Sequence, residues 1–165
     1  MSGAARVGTR LSELGLTLPG VAAPLAAYVP AVRDGRHVWT SGQLPFVDGA
    51  LPATGKVGGD VTPEDAADLA RVAALNALAA VGALLAQEDG TDPVTALDRI
   101  RRVVKLVGFV ASDPAFSGQP AVVNGASLLL HELLGEAGVH ARSAVGVAVL
   151  PMDSPVELEI VVAVD

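Results

Sequence analysis

Cysteine is absent from the 165 residues. That removes disulfides, thiolate metal ligands and a thiol nucleophile together, and fits a reducing compartment such as the cytoplasm. Aromatic residues are scarce, at 3%, so smaller side chains must fill the core. Positive charge is short as well: 11 Lys and Arg stand against 18 Asp and Glu, a formal net charge of −7. Such a chain lacks the electrostatic footprint of a nucleic-acid binder. Its one dense basic group, Arg99, Arg101, Arg102 and Lys105, has the spacing of a helix end or strand edge and reads as a solvated face. No apolar run reaches the ~20 residues needed to cross a bilayer; the longest, Val72 to Ala86, is interrupted by Asn76 and Gly82. The N-terminal stretch from Met1 to Gly15 has no apolar segment of the signal-peptide kind.

What the chain does have is Ala and Val, within a hydrophobic fraction of 51%. Small apolar side chains favour close packing of helices and strands, or burial of a face in an oligomer. Residues 1–25 read as an N-terminal extension with a short helix, Thr9 to Leu14, and residues 26–165 as one domain. In that domain, Ala26 to Val32 and Arg36 to Ser41 are strand candidates around an Asp34-Gly35 turn, with Gln43 to Val47 extending the second one up to Asp48-Gly49. Gly55 to Asp60 is a Gly-rich loop without the lysine of a phosphate-binding motif. Thr62, Pro63, Glu64 and Asp65 start a helix that Leu69, Val72, Leu75, Leu78 and Leu85 carry to Ala86, followed by an exit loop from Gln87 to Asp92. Ile100 to Ala111 is a buried strand, Gln119 to Leu134 a second helix ending at Gly135, and Arg142 to Leu150 and Val156 to Val164 two closing strands. The predicted fold is α+β, a mixed sheet with two long helices on one face. No third long helix is present to cover the other face, which points to a second copy of the chain.

The closing strands carry the candidate chemistry. Read as a hairpin turning near Asp153, they place Val145, Val147 and Val149 with the large aliphatics of the last strand beneath the helices, and Arg142, Glu157 and Glu159 on the opposite face. In that register Arg142 and Glu157 lie roughly 20–26 Å apart along the strands at about 3.3 Å per residue. They share a ligand only if Arg142 of one subunit approaches Glu157 of another.

The run His140-Ala141-Arg142-Ser143-Ala144-Val145-Gly146-Val147, with Leu150-Pro151 and Glu157-Leu158-Glu159, resembles the C-terminal signature of the RidA/YjgF family. Thr40-Ser41-Gly42-Gln43-Leu44-Pro45, Gly55, Gly58, Asn76, the strand from Val104 to Val110, and Val123-Asn124 extend the likeness over about Tyr28 to Val164. The extra segment Arg10 to Pro24 resembles that of a longer-chain subgroup. The resemblance implies a chorismate-mutase-like fold, a homotrimer with sites between subunits, and hydrolysis of 2-aminoacrylate and related imines to 2-keto acids and ammonia. It assigns Arg142 to the substrate carboxylate, Glu157 to the catalytic water, Tyr28 and Ser41 to the pocket lining, and Asn124 to the second-helix motif. Two positions depart from the family pattern: Ala144 stands where many members have Cys, and Gly146 where many have an acidic residue.

This chemistry needs neither metal nor organic cofactor, and none is expected; His37, His131 and His140 lack ligand spacing. Arginine offers a planar fork matched to a carboxylate, and a positioned carboxylate can move protons to and from water. Competing structural roles are an intersubunit ion pair for Arg142, backbone bonding for Glu157 and Ser41, packing for Tyr28, and a purely structural helix position for Asn124. Beside the deaminase stand two other functions, a non-catalytic trimer that binds small carboxylates and a ribonuclease.

Overall fold

The computed structural model describes residues 6–21 and 27–165. The expected boundary between residues 25 and 26 lies outside them, as does Ala26, the first residue of the first strand candidate. The elements run α1 (Val7–Glu13), β1 (Ala31–Asp34), β2 (His37–Thr40), α2 (Pro63–Asp89), a one-turn α3 (Pro93–Ala96), β3 (Ile100–Ala111), α4 (Gln119–Leu134), β4 (Ala141–Val147) and β5 (Val156–Val164).

Local chemistry sets the main boundaries. The Thr62 side chain accepts from the Asp65 N–H at 3.1 Å and Pro63 occupies the first turn of α2. Gly90, in the left-handed conformation at φ 66°, closes that helix three residues later than the pattern predicts. The expected exit loop is therefore short, and Asp92 ends it by capping α3 through Val94 and Thr95, both at 3.0 Å. α2 is long and apolar enough, by length and composition, to cross a membrane, but 67% of its most apolar stretch is buried inside the fold. The sequence reading that no such segment exists is corrected in this sense: alanines supply the apolar length, and they pack against protein. Ala66, Ala70, Ala73, Ala74 and Ala77 are all buried on it.

The five strands lie in the order β1-β2-β5-β3-β4, with β3 and β4 parallel and every other pair antiparallel. α2 packs on β5 and β2, α4 on β3 and β4, and the two helices pack on each other. α1 joins this layer: Val7 and Leu11 are buried in the core, and the Arg10 Nε donates to the Glu132 carbonyl of α4 at 3.1 Å.

The closing hairpin of the sequence reading does not form. β3 lies between β4 and β5, so the chain leaves β4 and passes the end of β3 through Pro151–Asp153 before entering β5. The reason is α4: as the connection from β3 it returns the chain parallel to β3, and the antiparallel partner of β3 is β5. The face assignment for β4 inverts with it. Arg142, Ala144 and Gly146 pair with the buried Leu106, Gly108 and Val110, and so face the helices; Val145 pairs with Phe109 on the open face and is 43% exposed. The expected extension of β2 over Gln43 to Val47 reduces to a single bridge between Gln43 and Leu158, while the Asp48-Gly49 turn is present between bridged Val47 and Ala50.

Small residues let α4 sit this close. A Cβ on Gly108 would lie 2.6 Å from Val123, and one on Gly125 would lie 1.9 Å from the Ala67 carbonyl oxygen of α2. The second contact is with backbone and has no side chain to yield. Gly125→Ala is expected to destabilise the chain by about 1–3 kcal/mol or more, read as a lowered midpoint in equilibrium urea unfolding at unchanged slope.

Candidate active site

Arg142 sits on β4 beneath the first half of α4. Its Nη1 donates to Asn124 Oδ1 at 2.8 Å and to Ser127 Oγ at 3.1 Å, and its Nη2 donates to the Pro120 carbonyl at 3.1 Å. All three acceptors are neutral. Arg6, Arg10, Arg33, Arg71, Arg99 and Arg101 each pair with a carboxylate, whereas among the described residues no carboxylate lies within ion-pair distance of Arg36, Arg102 or Arg142, and of these three only Arg142 has its guanidinium held by side chains. Of its five donors, those on Nε and the second Nη2 proton take no partner among the described residues. Those two nitrogens form one edge of the guanidinium, the edge that takes a carboxylate side-on. The helix thus fixes the orientation of the cation and leaves its charge uncompensated. Asn124 acts on Arg142 from within the chain.

Glu157 occupies the opposite face. It pairs with Phe109 on the open side of the sheet, with Glu159 two residues on along the same row. The bridge between Gln43 and Leu158, with backbone bonds of 2.7 and 3.1 Å, lays the Ser41-Gly42 segment beside it. Asn76 on α2 holds the following turn through the Leu44 and Phe46 carbonyls at 2.9 and 3.1 Å. A Cβ on Gly42 would fall 2.0 Å from Glu157 Oε1, so this glycine makes room for the carboxylate. Burial pushes the Glu157 carboxyl above its ordinary value, and the charge of Glu159 pushes it further. Ser41 lies next to it, but its hydroxyl donates to the Val29 carbonyl at 2.6 Å, which fastens the strand entry carrying Tyr28. Ser41 therefore spends its proton on backbone and keeps its lone pairs. Tyr28 is 58% exposed.

The five sequence-predicted residues fall into two separate groups. Arg142 and Asn124 meet under α4; Glu157, Ser41 and Tyr28 gather around the Gly42 segment. Three residues along β3 separate the registers of Arg142 and Glu157, and two strand spacings lie between β4 and β5. At about 3.3 Å per residue and about 4.8 Å per strand, their Cα atoms are roughly 14 Å apart. The 20–26 Å expected from a hairpin is thus too long, and a shared face is replaced by opposite faces. Within one chain the two groups therefore point away from each other. Among the described residues no group of three or more His, Asp or Glu side chains is placed to hold a metal ion.

A layer of helices on a mixed sheet, with an arginine under one helix and a carboxylate on the far face, defines an α+β protein. The family model described as "YjgF/chorismate_mutase-like, putative endoribonuclease" matches residues 8–163. Protein TCP17 of Trypanosoma cruzi is 42% identical over 158 residues, 95% of this chain and 93% of its own length. The structure of Atu1372 from Agrobacterium tumefaciens is 45% identical, covers 96% of this chain and 92% of its own, and superposes with a TM-score of 0.84. E. coli TdcF, solved with bound serine, is 27% identical over 89% of this chain and 93% of its own, with a TM-score of 0.58. The chain belongs to the YjgF/RidA family.

Two residues at the arginine, Ser127 and His140, were not singled out by the sequence as site residues. Ser127 carries no local signal at all. His140 was visible only as part of the signature, since its partner lies on another element.

The raised carboxyl of Glu157 has a consequence for stability. A group that binds its proton more tightly in the folded chain favours folding at low pH and loses that contribution as pH rises through its folded-state value. Glu157→Gln is therefore expected to raise the melting temperature at pH 7, with the gain vanishing once the pH falls below the ordinary carboxyl value of 4.5. Thermal unfolding of both proteins from pH 3.5 to about 8 checks it.

Proposed function

We propose that the protein hydrolyses small 2-imino (enamine) acids to 2-keto acids and ammonia at clefts between the subunits of a cytoplasmic homotrimer. The observation that carries this reading is the guanidinium of Arg142, held in place by neutral groups of α4 with its charge left for an anion. The serine bound to TdcF, 27% identical, carries the same α-carboxylate that an imino acid does.

In this reading the substrate carboxylate takes the Nε and Nη2 edge of Arg142 on one subunit, and Glu157 of a neighbour faces the C=N carbon. Water adds to that carbon as its proton passes to Glu157, giving a carbinolamine. Glu157 returns the proton to nitrogen, and as the C–N bond breaks the restored carboxylate takes the hydroxyl proton, so that ammonia leaves as the keto group forms. A carboxyl raised by burial suits both directions of transfer better than a fully solvated one. The open sheet face supplies a surface for the neighbour: Trp39 is 52% exposed and Val145 43%, with Val107, Phe109 and Val161 half-buried between them. The formal net charge of −7 counts against the ribonuclease reading.

The test generates 2-aminoacrylate enzymatically and follows its loss. The wild-type protein should accelerate decay, and Arg142→Ala should lower the acceleration by about 100-fold or more. Glu157→Gln should lower kcat by about 100-fold with pyruvate still bound. Decay unchanged by the wild-type protein, together with pyruvate binding, would mark a carboxylate-binding module without catalysis.

The intersubunit arrangement has its own test. Sedimentation equilibrium should give a trimer. Trimers assembled from equal amounts of Arg142→Ala and Glu157→Gln chains should recover about a quarter of wild-type activity, because some clefts then join two intact halves. No recovery would place both groups in one chain's site or outside the site.

A further inference from the structure

Arg142 is not the end of its hydrogen-bond chain. Ser127 Oγ, which accepts from Arg142 Nη1 at 3.1 Å, lies 3.0 Å from His140 Nε2. His140 Nδ1 lies 2.5 Å from the Gly138 carbonyl oxygen. A carbonyl only accepts, so Nδ1 carries a proton. In the neutral imidazole Nε2 is then an acceptor, and the Ser127 hydroxyl is its donor. The direction of every bond follows: Arg142 donates to Ser127, Ser127 donates to His140, and His140 donates to Gly138. The loop end of the relay is itself fixed, because a Cβ on Gly138 would lie 2.1 Å from the Leu130 carbonyl oxygen. The relay joins α4, the connection that follows it and β4 at one point.

We propose that His140 is a positioning residue for the carboxylate site, acting on Arg142 through Ser127. Its acceptor nitrogen draws the Ser127 proton away from Arg142 and turns the hydroxyl lone pair toward Nη1. Without that acceptor the hydroxyl is free to rotate, and on a helix it donates to the carbonyl four residues back. Nη1 then shares a weakened partner, and the guanidinium is held chiefly by Asn124 and Pro120. The relay also couples the two ends electrostatically. An anion docked on the Nε and Nη2 edge withdraws positive charge from the guanidinium, and the Ser127–His140 bond responds. This assignment rests on the reading of Arg142 as a carboxylate anchor, and it adds the group that sets the anchor's orientation.

The probe is pyruvate, titrated calorimetrically against the full chain, with nitrogen-15 NMR of the histidine ring in parallel. In the neutral ring, Nε2 of His140 should resonate as an unprotonated, hydrogen-bonded nitrogen, and its signal should shift on pyruvate saturation in the wild type and stay fixed in Arg142→Ala. The pyruvate Kd should rise about tenfold in His140→Leu and in Ser127→Ala. His140→Gln, which keeps an acceptor near the position of Nε2, should recover most of that loss. Thermal unfolding identifies any variant that fails to fold, and Ser127→Ala together with the wild-type NMR signal then decides the question. Wild-type pyruvate affinity in folded His140→Leu and Ser127→Ala, with affinity lost in Arg142→Ala, overturns the relay and leaves the anchor standing. A proton found on Nε2 in the neutral ring overturns it as well. Wild-type affinity in Arg142→Ala overturns the anchor and the relay with it.

Discussion

α4 leaves the end of β3 and delivers the chain to β4 alongside it, and this crossover sets the geometry of everything else. A parallel neighbour is obligatory for a strand returned in this way. Once β4 takes one edge of β3, the antiparallel β5 takes the other, and the row of Arg142, Ala144 and Gly146 turns toward the helix. Gly108 and Gly125 allow that helix to sit close to both β3 and α2. The guanidinium therefore emerges among helix groups, the Pro120 carbonyl, Asn124 and Ser127, and its restraint comes from neutral dipoles. Had β4 paired with β5, the same residue would have stood on the open face with Glu157 and Glu159, away from the helix groups that now hold it.

The two charged groups consequently face complementary deficits. Arg142 has directional restraint without a counter-charge. Glu157 is pressed against Gly42, partly desolvated, and repelled by Glu159. Each ionised group is less comfortable than it would be beside an opposite charge. In the proposed reaction the ligand supplies both: a protonated imino acid carries a carboxylate at one end and a cationic C=N group at the other. On opposite faces the two groups do not neutralise each other within a chain; in the proposed reaction a ligand between two chains would meet both. Neutral hydrogen-bond acceptors around an arginine are the arrangement that preserves affinity for an external anion; a built-in salt bridge would have to be broken first.

Most elements were legible from local signals because those signals are local in origin. β3 and α4 run from Ile100 to Ala111 and from Gln119 to Leu134, as the pattern predicts, since Pro, Gly and the apolar periods mark their ends. The reading of β3 as a buried strand holds for one face only: register shifts between Ile100 and Arg102 and between Val103 and Lys105 insert Arg101 and Val104, and keep Val103 and Leu106 pointing at the helices. The partner of β4 was misread because Pro151 and Pro155 look like the bracket of a hairpin, and strand pairing across a helix leaves no mark on the strand itself. The candidate site residues come from the signature. Their division into two groups needed the register, and the bonds of Ser127 and His140 to their neighbours needed the fold.

The two departures from the family pattern fall on the same inward row as Arg142, which limits what they can change. Ala144 is partly buried against the core, paired with Gly108. A side chain at Gly146 would have to displace the Gln119 amide: a Cβ there would lie 2.7 Å from Gln119 Nε2 and 3.1 Å from Ser112 Oγ. Gln119 is itself tied down, donating to Ser112 at 3.1 Å and to the Phe116 carbonyl at 2.9 Å. The space that an acidic side chain on β4 would claim is held here by a neutral amide from the start of α4. The row that carries Arg142 is thus without that negative charge. Less local repulsion toward a carboxylate follows, with the restraints on the guanidinium untouched, because none of them originates at either position.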